Sequence, residues 1–61
     1  MFDLYMNGNV TPIYRKCTLF TVKMLAMDIS DKERITVDIL SRETGEVLAT
    51  YDHGFLIYEV A

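Results

Sequence analysis

A chain of 61 residues with nine acidic and six basic side chains, a formal charge of −3 and 51% hydrophobic residues is one domain at most. At that size only about 60% of the unfolded chain's surface can be buried on folding. Cys17 is the only cysteine and His53 the only histidine, which excludes an intrachain disulfide and a structural zinc site, so stability has to come from a well-packed core or a second subunit.

The N-terminal segment MFDLYMNGNVTPIY alternates Phe2, Leu4 and Met6 before Asn7-Gly8, a pair that signals a hairpin. Pro12 on the returning arm cannot donate a ladder hydrogen bond, which makes that arm an edge strand or an irregular one. The middle segment CTLFTVKMLAMDI fits two periods. At period two, Phe20, Val22, Met24 and Ala26 line one face, with Leu19, Leu25, Met27 and Ile29 partly lining the other; at period 3.6, Leu19, Val22, Ala26 and Ile29 form a helical stripe. The β-branched Thr18, Thr21 and Val22 favour a strand, whereas KMLAM favours a helix. A strand is the expectation and a helix over about 18–28, packed on the sheet, the alternative. The SDKE that follows reads as a polar turn.

RITVDILSRETGEVLATY carries the clearest pattern. Ile35, Val37 and Ile39 alternate with Arg34, Thr36 and Asp38, as in a half-buried strand. A three-residue loop, Glu43-Thr44-Gly45, with Gly45 left-handed, sets Ile39 opposite Ala49, Val37 opposite Tyr51 and Leu40 opposite Leu48, so that like faces meet. In YDHGF, Asp52-His53-Gly54 poses a choice between an active-site fragment and a bend. A type I′ turn centred on His53-Gly54 pairs Tyr51 with Leu56, Ala49 with Tyr58 and Val47 with Val60, which extends one apolar face over three strands. A general base at His53 oriented by Asp52 needs a nucleophile, and Ser30 and Ser41 both read as turn or strand-end residues. The bend is preferred.

No group assembles chemistry of its own. The acidic residues from Asp28 to Asp38 lack the glycine spacing of a calcium loop, and DISDKE reads as a solvated loop. Cys17 has no helix start or histidine beside it to activate the thiol. The glycines at 8, 45 and 54 are isolated, so no phosphate loop exists, and no cofactor is expected. Tyr14, Arg15, Lys16 and Phe20 are the one local set that could stack and hold single-stranded nucleic acid, and the net charge opposes it.

One feature calls for a partner. In the expected register Phe55 and Ile57 fall on the opposite face from the first apolar set, beside Leu40 and Leu48, and uncovered apolar surface of this kind marks an interface. The expected architecture is an all-β, antiparallel sheet of four to five strands built from hairpins, residues 1–61 forming one small domain. The expected function is non-enzymatic: a protein-binding module that regulates or inhibits a cellular protein, of a kind that phages and other mobile elements make, with single-strand nucleic-acid binding as the alternative. The partners expected are a second copy of the chain and a protein target. The longest apolar runs, Met24–Met27 and Phe55–Tyr58, fall far short of the roughly 20 residues that cross a bilayer, and no signal-peptide pattern is present, so a complete cytoplasmic chain without a membrane partner is expected.

Overall fold

The computed structural model describes residues 1–60 as β1 (Phe2–Met6), β2 (Tyr14–Cys17), α1 (Leu19–Glu33), β3 (Thr36–Ser41), β4 (Val47–Asp52) and β5 (Phe55–Glu59). The strands form one antiparallel sheet in the order β2-β1-β3-β4-β5, and α1 packs on one of its faces. The architecture is therefore α+β rather than all-β. The alternative for the middle segment is the one realised, and its helix runs past residue 28 to Glu33, so SDKE forms the last helical turn instead of a loop.

The sheet decides between the two periods of the middle segment. Leu4, Val37, Ile39, Ala49 and Tyr51 make an apolar face that a strand over 18–28 would leave in water. As a helix the segment lays Val22, Ala26 and Ser30, spaced by four residues, onto that face, with Leu25 and Ile29 beside them. Each fully buried aliphatic side chain contributes about 1.5–3 kcal/mol, far more than the propensity difference between the two states. Thr18, counted above as a strand former, is the N-cap: its side chain accepts the Thr21 N–H at 3.3 Å. The helix stops where Arg34 turns left-handed (φ 57°) and donates its N–H to the Ser30 carbonyl.

Between β3 and β4 the expected pairs Val37 with Tyr51 and Ile39 with Ala49 are present. The loop is one residue longer than the sequence pattern suggests. The Ser41 N–H donates to the Glu46 carbonyl (2.9 Å) and the Gly45 N–H to the Ser41 carbonyl (2.8 Å), so Arg42–Gly45 bridge the strands. Hydroxyls stabilise this longer loop, Ser41 Oγ accepting the Thr44 N–H and Thr44 Oγ1 the Glu46 N–H. Leu40 consequently pairs with Val47 rather than Leu48, and a bulge at Leu48 restores the register.

The β4–β5 turn is the expected one. His53 (φ 51°) and Gly54 (φ 89°) both lie in the left-handed region, as a type I′ turn demands, and Tyr51 pairs with Leu56. Beyond it a second bulge, at Ile57, shifts the pairing, so that Thr50 faces Tyr58 and Ala49 faces Glu59 in place of the expected Ala49 with Tyr58 and Val47 with Val60. The shift carries Glu59 to the helix side, where Lys23 Nζ meets its carboxylate at 2.8 Å.

Asn7-Gly8 also makes a turn, closed by the Asn9 N–H on the Met6 carbonyl at 3.0 Å. The arms do not pair directly after it: β2 begins only at Tyr14 and, as Pro12 implied, occupies a sheet edge. The face away from α1 is polar along its centre. Asp38 accepts from Thr50 Oγ1 at 2.8 Å and Asn7 Nδ2 at 3.3 Å, and Asp52 accepts from Thr36 Oγ1 at 2.8 Å.

Candidate interaction surface

Three groups of residues were singled out by the sequence, and the fold sends them to different places. Asp52-His53-Gly54 forms the β4–β5 turn beside the C-terminal half of α1. The His53 ring Nδ1 lies 2.7 Å from Asp52 Oδ1, and the Thr36 hydroxyl, then the His53 ring, hold the Asp52 carboxyl below its ordinary value. A serine also reaches this turn. Ser30, expected in a turn, is fully buried in α1, where its hydroxyl donates to the Met27 carbonyl (3.2 Å) and accepts the Gly54 N–H (2.9 Å). Its bonds run to backbone, not to the His53 ring, so Ser30 fastens the hairpin to the helix. Cys17 ends β2 at the opposite edge of the sheet and, contrary to expectation, directly precedes the Thr18 N-cap of α1; its Sγ is engaged with the Arg15 carbonyl at 3.6 Å.

Gly54 explains the closeness of that junction. A Cβ there would stand 2.9 Å from the Asp31 Cβ, and its φ of 89° is one that side chains disfavour. The turn and the helix therefore meet backbone to side chain. Just beside the meeting point a recess of about 600 Å³ opens between them. Met24, Leu25 and Met27 form its helical wall, the turn and Phe55 its other wall, and the exposed carboxylates of Asp28 and Asp31 border it.

The four residues expected to share an interface separate. Leu40 is half-buried opposite Val47, and Leu48, pushed out of register by its bulge, packs against the core on the α1 side. Phe55 and Ile57 remain at the surface, 74% and 60% exposed, and with Leu56, Tyr58 and Val60 they leave the β5 edge apolar except at Glu59. The structure adds a stripe that strand-based reasoning missed. Phe20, Met24 and Met27 recur at helical spacing on the solvent side of α1, exposed despite their size. The signal for it lay in the sequence, because a helix over this segment has apolar residues on two sides and a single sheet can cover only one.

Tyr14, Arg15 and Lys16 lie exposed along β2, whereas Phe20 sits on α1 and does not border the polar recess that Arg15 shares with Asp3, Tyr5 and Arg42. The Arg42 guanidinium is engaged there, with Nη1 3.0 Å from both Asp3 oxygens. Burial works against ionisation of Asp3, but the Lys16 N–H and the Arg42 guanidinium, with Arg15 nearby, bring its carboxyl below the ordinary value. Among the described residues no three His, Cys, Asp or Glu side chains gather as a metal site would require, and no helix is long and apolar enough to cross a membrane. Comparison with protein-family models, with curated proteins and with solved structures found no match to this chain.

Proposed function

We propose that the protein works without catalysis, as a protein-binding module that regulates or inhibits its target and that self-associates through β5. The observation that carries this reading is the run of exposed large apolar side chains along β5, Phe55, Leu56, Ile57 and Tyr58, with Phe55 bordering the same recess as the exposed Met24 and Met27 of α1. Chains of this kind bury such surface against other proteins. Two further features support the reading: the Ser30 hydroxyl is committed to backbone groups, and the polar face of the sheet is internally hydrogen-bonded through Asp38 and Asp52. A single-strand nucleic-acid module on β2 has less support, because Arg42 is already held by Asp3 and the chain carries a net negative charge.

Photo-cross-linking tests the proposal. A benzophenone side chain at position 57 is expected to give a two-chain adduct in purified protein and, in cell extract, a heavier adduct with a discrete polypeptide. Cross-linking no stronger at position 57 than at the exposed Thr11, on the far side of the sheet order, would overturn it.

A further inference from the structure

The recess between α1 and the β4–β5 turn has walls that are held in place. The Ser30 hydroxyl ties the Gly54 N–H to the helix, and the absence of a Cβ at Gly54 lets the turn close onto Asp31. The recess therefore exists before anything enters it, and its volume of about 600 Å³ falls in the range of ordinary binding clefts. Its helical wall is rich in methionine, whose unbranched, polarisable side chain adapts to apolar groups of different shape.

We propose that this recess receives a segment of the target protein that carries one large apolar side chain with a lysine or arginine next to it. The proposal rests on the protein-binding reading above and names the chemistry of the target. Met24, Met27 and Phe55 surround the space for the apolar side chain. The border supplies the charge: Asp28 is shared with Lys32 one turn on, at 3.2 Å, while Asp31 makes no ion pair among the described residues. A second copy of the chain fits poorly here. An isologous contact sets a patch against itself, which would bring the Asp28 and Asp31 carboxylates of both copies together. A neutral apolar segment would strip water from Asp31 and return nothing, and a nucleic acid would add its own negative charge. A cation beside an apolar anchor meets both demands of the site.

Selection of random peptides displayed on phage against the intact chain, followed by titration of the purified winners, tests this. Enriched peptides are expected to share an aromatic or long aliphatic residue adjacent to Lys or Arg. They should shift the NMR signals of Met24, Met27 and His53. Met27→Glu should weaken their binding about tenfold or more, and Asp31→Asn about threefold, with a shallower salt dependence. Both positions are exposed, and circular dichroism is expected to report an unchanged fold. Winners without a basic residue, or no winners at all, would overturn the proposal. Winners that shift Ile57 and Tyr58 instead would also overturn it, while leaving protein binding through β5 in place.

Discussion

The two edges of the sheet are built from opposite materials. β2 is four residues long, reads YRKC, follows Pro12, and bends at Lys16, whose φ is 56°. Short length, cations and local distortion are the usual means by which an edge resists pairing with another strand. β5 reads FLIYE, with neither lysine nor proline, and its one charge, Glu59, is neutralised by Lys23 at 2.8 Å. Both edges carry a register shift, so irregular pairing alone does not distinguish them. Charge and side-chain chemistry do. A sheet with two open edges can add copies without limit, whereas a sheet with one can only pair that edge with itself and stop.

The largest effect should come from reversing this asymmetry. Ile57→Asp places a carboxylate in the middle of the apolar edge and should weaken self-association about a hundredfold; light scattering after size exclusion should then read a one-chain mass where the parent reads two. The complementary change, Arg15→Val, removes a cation from β2 and should produce particles heavier than two chains. Gly54→Ala comes next. It forces a side chain into the left-handed region at a cost of about 1–2 kcal/mol and pushes on Asp31 besides, so its denaturant midpoint should fall clearly below that of the parent.

A loss of similar size is expected on the β2 side. Asp3→Asn gives up the charge that holds Arg42 and the Lys16 N–H, costing about 1–3 kcal/mol. Its pH dependence identifies the cause. The Asp3 carboxyl is held below its ordinary value in the folded chain. The stability it contributes is therefore present above that value, where the unfolded chain is also ionised, and is lost as pH falls through the folded value. The variant should lose stability less steeply in acid than the parent. The smallest effect belongs to His53→Asn, which exchanges one residue tolerant of positive φ for another and should stay within about 0.5 kcal/mol. Loss of binding in a folded His53→Asn protein would give His53 a direct role at the recess.

Much of this was legible in the pattern of the chain. The pairing of β3 with β4 through Val37 and Ile39 follows from alternation alone, and His53-Gly54 announced a turn because few other pairs accept two positive φ values in succession. What could not be read were the bulges at Leu48 and Ile57. Alternation shows which residues share a face but not where an extra one is inserted, and here the first insertion compensates a loop that hydroxyls of Ser41 and Thr44 lengthen by one. Those two bulges dispersed the expected patch of Leu40, Leu48, Phe55 and Ile57. The helix was ambiguous for a different reason. Residues 18–28 satisfy both periods, and the deciding fact, an apolar sheet face that needs covering, belongs to other segments of the chain.

The position of β1 between β2 and β3 has a consequence for how the molecule assembles. The last three strands form a meander whose neighbours are close in sequence, and they can zip together locally. β1 can join β3 only after the intervening chain has closed a long loop; the Asp3–Arg42 contact across that seam spans 39 residues. Closure of this length is the slow, entropically costly part of folding for a sheet. The rate-limiting barrier should therefore lie before the seam forms. In stopped-flow refolding, Leu4→Ala should chiefly accelerate unfolding, while Ala49→Gly in β4 should slow folding. The N-terminal hairpin would then be the part that detaches first when the native molecule opens.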